Sequence, residues 1–388
     1  MATTECVEDV DVYVLEVPLE RAYWMATEAY TTATEIFLIL KTAGGLTGYG
    51  VAHGNPVSAI ASVLTQTLIP AVLGADIWTA SDVWDRMFAT TYAISTESVA
   101  GQPHFGARRR FETMAGIAAL DIALWDVRAK AVGLPLYRFL GSDVSAIPTY
   151  ASGGYYPSSD QNELGIDELV DEVGSYINQG FSVVKVKAGR DVAGDIQRIG
   201  AVRKTFPDVG ILVDANGGWS LRSAIRAGQE LSRFNIGWLE EPLRWYYVED
   251  DLATVASSTG VPVAAGEQEM HRWACARLVN HGRIRHMQFD CTRAGGITEW
   301  LEVATYAAIR GVGLAPHHDP QIHGHLLARY DDGMCESFPN AKRDPIWADF
   351  YDERPQISAG MLHLTDAPGL GVELNPRFLQ RYGTKANT

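Results

Sequence analysis

GILVDANGGWSLRSAIRAGQELSRFNIGWLEEP, residues 210–242, decides the fold. It opens on a short apolar run, Gly210–Asp214, passes through helical spacing over Ser220–Ser232, and closes on a second apolar run, Gly237–Glu240. Strand, helix and strand within about 30 residues make the parallel β-α-β unit. Outward from it the same grammar repeats. Strands are expected at Ile147–Ala151, Ser182–Lys187, Gly210–Asp214, Gly237–Glu240, Val261–Ala265, His286–Asp290, Val312–Pro316 and Met334–Glu336, and helices between them include Ile166–Gln179 and Thr298–Arg310. Eight such strands, roughly 25 residues apart, predict an α/β chain whose parallel sheet closes into a TIM-type barrel. An open doubly wound sheet is the competing arrangement, but no G-x-G-x-x-G follows the first strand.

The first third reads differently, as α+β. Val10–Val17 alternates weakly, and Glu35–Lys41 runs into Gly44-Gly45 with a further strand ending near Val51, a hairpin signal. Helical spacing follows over Val57–Leu73, Ala80–Thr91 and Arg109–Ala131; in the last, Met114, Ile117, Ala118, Ile122 and Leu124 share a face and Gly133 and Pro135 close it. After Asp344 the strand–helix rhythm stops, and the tail is expected to pack back on the N-terminal unit. The expected division is therefore 1–140 as an α+β domain, 141–345 as the barrel and 346–388 as the returning tail.

Of the 388 residues, 47% are hydrophobic and 20% charged, ample for a packed core, and the net charge is −15. That charge excludes a nucleic-acid partner, which requires a basic surface, but allows an anionic substrate wherever a bound cation reverses the local field. The acidic start MATTECVEDV has no basic, apolar leader pattern, and no run of about 18 apolar residues suggests a membrane span. Cys6, Cys275, Cys291 and Cys335 are scattered without a C-x-x-C pair. A cytoplasmic protein with reduced thiols and no membrane partner is expected.

The chemistry lies where the strands end, because the C-terminal strand ends of a barrel converge on one mouth. In order these ends carry Lys185 and Lys187, Asp214, Glu240, Glu267, Asp290, His317 and Glu336. Asp214, Glu240 and Glu267 end three consecutive strands; gathered without a cation they would repel, and a hard ion such as Mg2+ relieves this with oxygen ligands alone. Three unrelated acids in salt bridges at the barrel mouth are the bland alternative. Glu241 and Glu269 are neighbours able to exchange roles with Glu240 and Glu267. A zinc site is disfavoured, since no histidine pair adjoins these acids.

Lys185 and Lys187 alternate onto one face. Two ammonium groups so close to each other and to a divalent cation are expected to have lowered pKa values, so that one serves as a base and the other holds a substrate carboxylate. Across the mouth, Asp290 is expected to orient His317 by bonding one imidazole nitrogen. His318, in His317-His318-Asp319, is a rival base or a substrate contact, whereas His323 and His325 fall on a helix as packing or capping residues. Glu336, protonated or hydrogen-bonded, is expected to stabilise charge on the substrate carboxylate. Over the mouth the expected loops are Glu20–Thr31, with Tyr23 and Trp24 as substrate contacts, and His53–Ser58; His104 is a further candidate.

Lys-x-Lys, Asp-x-Asn, Glu-Glu-Pro, Gly-Glu, Asp followed by Gly-Gly, and Pro-His, in this order and together with Asp121-Ile-Ala-Leu-Trp125, resemble the mandelate racemase branch of the enolase superfamily, over nearly the whole chain. The resemblance implies a (β/α)7β barrel with an α+β capping domain completed by the C-terminal tail. It implies Mg2+ on Asp214, Glu240 and Glu267, Lys187 as the base with Lys185 beside it, a His317–Asp290 dyad, Glu336 as the acid of the eighth strand, and Asn216 near the substrate. It further implies α-proton abstraction from a hydroxylated carboxylic acid through an enediolate. Dehydration of an acid sugar to a 2-keto-3-deoxy acid is the expected outcome, with racemisation or epimerisation of a 2-hydroxy acid, or lactone cycloisomerisation, as alternatives on the same residues. A homo-oligomer is expected.

Overall fold

The computed structural model describes residues 5–92, 109–160 and 162–386; His104 lies outside them. Three antiparallel strands, β1 (Val7–Trp24), β2 (Ala29–Thr42) and β3 (Thr47–Ala52), form the N-terminal sheet. β2 buries Ile36, Phe37, Leu38 and Leu40 in succession because both of its faces are covered. On one side Phe37 meets Phe350 of the tail, ring centres 4.9 Å apart. On the other lies α1 (Arg110–Ala131). β3 approaches that helix so closely that a Cβ on Gly48 or Gly50 would stand 2.2 Å or 1.9 Å from the carbonyl oxygens of Ala123 and Ala119, which only glycine permits.

The segment 20–31, expected as a loop, is mostly strand. β1 and β2 run on to Trp24 and from Ala29, and only the turn Met25–Glu28 is left, closed by Met25 N–H donating to the Glu28 carbonyl at 2.8 Å. Cross-strand pairing is interrupted between Pro18 and Tyr23 but resumes at Tyr23↔Tyr30 and Trp24↔Ala29, where it satisfies backbone groups that a loop would leave to water. The helix expected over Val57–Leu73 is also modified: Val57–Val63 is α-helical, Leu64–Leu68 a π turn and Ile69–Val72 α-helical again. Pro70 has no N–H to offer the carbonyl of Gln66, so the regular ladder breaks just before it.

The barrel strands are β4 (Ala146–Gly153), β5 (Val183–Lys187), β6 (Gly210–Asp214), β7 (Ile236–Glu240), β8 (Val263–Ala265), β9 (His286–Met287), β10 (Gly313–Leu314) and β11 (Cys335–Ser337). They pair in parallel in chain order; β11 returns to β4 through Glu336↔Tyr150, and a Leu314↔Gly333 bridge completes the ring. Seven helices alternate with the strands, from Ile166–Asn178 to Pro320–Leu327. This is the (β/α)7β barrel with its capping domain. β9 ends well before Asp290 because the Asp290 carboxylate accepts the Thr292 backbone N–H at 2.8 Å, a local bond that competes with the ladder. Below the mouth, Tyr150, Leu212, Trp238, Ala264 and Ala315 fill the interior.

α1 joins the two halves. Its Asp121 accepts from the Thr298 backbone N–H and hydroxyl at 2.8 and 2.6 Å, and its Asp126 from the backbone N–H groups of Tyr49 and Leu370 at 2.8 and 2.7 Å. The tail touches both units as well: Met361–His363 pairs antiparallel with β4, and Gly383–Lys385 adds to the outer edge of β1. Among the described residues no helix is long and apolar enough to cross a membrane.

Candidate active site

Strand pairing alone aligns the centre of the site. Lys187, Asp214 and Glu240 are register partners on β5, β6 and β7, so they stand on one rung at the C-terminal mouth, and Lys185 sits one pleat below. All are buried; Asp214 and Glu240 have no exposed surface, and Glu267, just past β8, is 4% exposed. Each carboxylate has one oxygen held by a neighbour. Asn216 N–H donates to Asp214 Oδ1 at 2.9 Å, Trp238 Nε1 to Glu240 Oε2 at 3.0 Å, and Gln268 Nε2 to Glu267 Oε1 at 3.2 Å. The other oxygens face the lysines and His317: Lys187 Nζ donates to Asp214 Oδ2 at 2.5 Å, Lys185 Nζ to Glu240 Oε1, and His317 Nε2 stands 4.0 Å from Glu267 Oε2.

With the charges of the chain's own groups alone, without the divalent cation of the expectation, neither lysine is lowered. Burial would depress both lysines, but Glu240 and Glu336 outweigh it and hold Lys185 well above the ordinary lysine range, and Asp214 raises Lys187 in the same way. Repulsion between two ammonium groups is the weaker effect when each is paired to a buried carboxylate. Glu240 is driven well above the usual carboxylate range by burial and then by Asp214. Glu241, in left-handed backbone at φ 36°, is raised likewise by burial and by the Glu267, Asp214 and Glu240 charges, so it borders the same cluster. Glu269 does not: burial raises it, and the charges acting on it are Arg277 and Glu249, away from the mouth.

On the far side of the cluster, His317 Nδ1 lies 2.9 Å from Asp290 Oδ2, which leaves Nε2 directed toward Glu267. Asp290 is itself fixed by Thr292, whose N–H and hydroxyl donate to Oδ1 at 2.8 and 2.7 Å, and it is held below the ordinary range because His317 and His323 overcome its burial. Glu336 was expected to be protonated or hydrogen-bonded, and the structure does not favour the protonated form. Instead it is ionised: burial raises it, but Lys185, 2.6 Å away, pulls it well down, and the His318 backbone N–H donates to it at 3.1 Å.

His318 is corrected too. Nδ1 lies 3.2 Å from Asp319 and Nε2 3.0 Å from Asp344, so neither nitrogen is free for a substrate or a proton. With a carboxylate on each side the ring is an imidazolium that donates twice. Both His318 and Asp319 adopt left-handed backbone, at φ 54° and 46°, a strained turn that these bonds retain. His318→Asn should therefore destabilise the fold by about 3–5 kcal/mol, since it strands two buried carboxylates; chemical denaturation at neutral pH measures it. The pH dependence has a definite sign. Burial would lower His318, but Asp319 and Asp344 raise it above its unfolded value of 6.5, so its contribution is complete below that pH and is lost only as pH climbs through the raised folded value. Asp319 is lowered to about 2, His318 outweighing burial, so its share is present above its unfolded value of 3.8 and lost as pH falls through about 2.

His323 and His325 are buried packing residues. His323 accepts from Cys291 N–H at 3.1 Å and donates to the His318 carbonyl at 2.8 Å; His325 accepts from Tyr137 N–H at 3.2 Å and donates to the Leu370 carbonyl at 3.1 Å. From the cap, Tyr23 is buried edge-on against Tyr155, ring centres 5.6 Å apart. Trp24, one residue on and so on the opposite face of β1, stands 5.9 Å from the Arg190 guanidinium. Asn216 carries a buried Oδ1 without a partner.

Sequence reasoning named His53 only as the start of a loop. Its ring stands edge-on to His317 and His318, 5.7 and 5.2 Å between centres, and burial and then the His318 charge lower it to about 3, so it is neutral. It also missed Asp344, and Glu35, a buried β2 carboxyl whose pKa burial and Asp319 push well up. No local pattern marks either of these.

The donor set suits a hard divalent cation in its chemistry: three buried carboxylates, each with one oxygen fixed by a neighbour; among the described residues their free oxygens are not gathered within 4.8 Å of one another. His53, His318 and Asp319 gather more tightly, within 4.8 Å, but His318 has no lone pair left to coordinate.

Comparison with known proteins places these features in a family. Residues 9–141 match the mandelate racemase / muconate lactonizing enzyme N-terminal domain, and residues 168–378 the enolase C-terminal domain-like family. The arabinonate dehydratase of Saccharolobus solfataricus is 31% identical over 91% of this chain and 91% of its own. The 3,6-anhydro-alpha-L-galactonate cycloisomerase of Streptomyces coelicolor is 27% identical over 97% and 99%. The crystal structure of a lysine-to-alanine mutant of L-talarate/galactarate dehydratase, liganded with Mg and L-glucarate, superposes with a TM-score of 0.85 at 25% identity, covering 98% of this chain and 93% of the other.

Proposed function

Because the chain belongs to the mandelate racemase / muconate lactonizing enzyme family of the enolase superfamily, we propose that it is a magnesium-dependent lyase that dehydrates an acid sugar to a 2-keto-3-deoxy acid. One observation carries the reading: Lys187 and the His317–Asp290 pair stand at opposite ends of the Asp214–Glu240–Glu267 cluster, at Asp214 and at Glu267. A substrate held over the cluster thus meets a proton-transfer group on each side, which a single-base site does not offer.

Asp214, Glu240 and Glu267 would hold the magnesium, with Glu241 beside them. When bound, the ion supplies positive charge that makes the proton next to the substrate carboxylate acidic enough to be removed. The chain's own residues do the rest. Lys185, fixed between Glu240 and Glu336, presents its ammonium group to the substrate carboxylate. Lys187 would give up its proton once a cation replaces its pairing with Asp214. Lys187 or His317 Nε2, according to the configuration at C2, then accepts the C2 proton, and the C–H electron pair passes into the carboxylate. As that pair returns, the C3–O bond breaks; the opposite residue gives its proton to the departing hydroxyl, which leaves as water. The enol that remains becomes the 2-keto-3-deoxy acid. Asp290 holds the imidazole in the orientation this requires, and Tyr23, Tyr155 and Phe338 form an apolar wall that limits water.

A panel of aldonic and aldaric acids incubated with enzyme and magnesium, with 2-keto acid as the readout, tests the reading. At least one acid is expected to give a 2-keto acid with one solvent deuterium incorporated at C3 in D2O. Deuterium at C2 without keto acid would replace dehydration by epimerisation. Conversion of a sugar lactone alone would favour cycloisomerisation, the activity of the Streptomyces coelicolor relative.

The same reading places the enzyme in the cytoplasm as a homo-oligomer. Buried unpaired thiols at Cys275, Cys291 and Cys335 suit a reducing compartment, and exposed Trp245, Trp273 and Ile309 offer apolar surface for association.

A further inference from the structure

A further cation borders the mouth, and the reaction above does not use it. Arg343 lies in the segment 338–344 between β11 and the short helix Pro345–Asp349. That segment is pinned: the backbone N–H groups of Arg343 and Asp344 both donate to the Asn340 carbonyl, at 2.9 and 3.0 Å, while the Asp344 side chain is taken by His318 and by the Trp347 N–H. The guanidinium is ringed by aromatic side chains from three elements. Its Cζ lies 4.4 Å from the ring centre of Tyr30 on β2, 5.0 Å from that of Tyr155 after β4, and 5.5 Å from that of Phe338 after β11.

The same rings border the reacting groups. Lys187 Nζ is 5.6 Å from the Tyr155 ring centre, and the His318 ring is 5.0 Å from Phe338. Arg343 is thus one aromatic ring removed from the β5 base. It is also short of acceptors: Nε is buried with no hydrogen-bond partner, and among the described residues no carboxylate is within ion-pair reach of the guanidinium. Asp344, its nearest acid in sequence, is committed to His318. A guanidinium packed on aromatic faces, half-buried and without a carboxylate partner among the described residues, is a preset fork for a planar carboxylate.

We infer that Arg343 binds a second, distal carboxylate of the substrate, so that the acid sugar taken by this chain is an aldaric acid, charged at both ends, rather than an aldonic acid. The inference rests on the dehydratase reading for the placement of the first carboxylate over Lys185 and the acidic cluster. A diacid then spans from that cluster to the guanidinium. An aldonic acid would set a neutral hydroxymethyl group there and leave the half-buried cation without a carboxylate partner.

Magnesium-loaded enzyme assayed on galactarate, glucarate and mannarate beside galactonate, gluconate and mannonate tests this. Turnover of at least one diacid is expected to exceed that of its matched aldonate. Arg343→Met, which retains the packed stem, should raise KM for the diacid by about 100-fold and leave kcat/KM for aldonates unchanged. Arg343→Lys should restore part of the preference. Equal losses on both classes, or no preference for diacids in the wild type, would overturn the inference and leave Arg343 a support of the cap. Calorimetric titration of the same acids into wild type and Arg343→Met separates the two readings. If no acid loses water, the dehydratase reading falls, yet tighter diacid binding that disappears in Arg343→Met still upholds the distal site, and its absence rejects that site.

Discussion

Lys187→Ala is expected to lower kcat by about 10²- to 10⁴-fold, the usual contribution of a positioned general base, and to abolish exchange of the C2 proton with solvent for the substrate configuration that presents this proton to β5. Lys187 has no substitute on its side of the cluster. Lys185 sits one pleat below and is held between Glu240 and Glu336, and His317 lies at the Glu267 end. The substitution leaves Asp214 Oδ2 without its 2.5 Å partner, so magnesium affinity should hold or rise while turnover collapses. That divergence separates loss of a base from loss of a metal site. His317→Asn tests the other side: its amide retains a donor for Asp290 and has no basic nitrogen, so elimination should fail by a similar factor. An epimer whose C2 proton faces β5 should still exchange that proton through Lys187. If Lys187→Ala keeps turnover within tenfold of wild type, with an unchanged circular dichroism spectrum, Lys187 is not the base.

The second large effect is expected from Glu240→Gln. Glu240 is the central carboxylate of the three, wholly buried, and register-paired to Asp214. Gln has the same length and its carbonyl still accepts from Trp238, so the local packing survives. What is lost is one negative charge beside the magnesium position and one partner of Lys185. Magnesium affinity by calorimetry should fall by at least about 100-fold, since even substitutions one step removed from a metal cost 10- to 100-fold, and turnover should fall with it and recover only partly at high magnesium. The fold should persist, because Glu336 still pairs with Lys185. Unchanged magnesium affinity would remove Glu240 from the ligand set and bring Glu241, which borders the same cluster, into its place.

How much of this was legible beforehand follows from the range of the forces involved. The alternation of strand and helix is local, and a strand of a closed barrel has to end at the mouth; residues 210–242 therefore imply both the barrel and the level at which Asp214 and Glu240 stand. Reading strand ends in order reached Lys187, Glu267, Asp290, His317 and Glu336 by the same reasoning. Secondary structure went astray where side chains or proline compete with the backbone ladder, at Asp290 and at Pro70, and where β1 and β2 extend through a segment too polar to read as strand.

The sequence by itself determined the architecture and the list of ionisable groups at the mouth, because both follow from periodicities of two to four residues and from the one-way convergence of parallel strands. Only the tertiary structure decided which of those groups are paired. Lys185 is held ionised by Glu336, 151 positions along the chain, His318 is locked by an aspartate beyond β11, Glu269 is turned toward Arg277 while Glu241 borders the acids, and Arg343 is left unpaired beneath a cap strand. Charge state inside a low-dielectric interior depends on neighbours within a few ångströms, and folding draws those neighbours from distant parts of the chain that no local pattern connects.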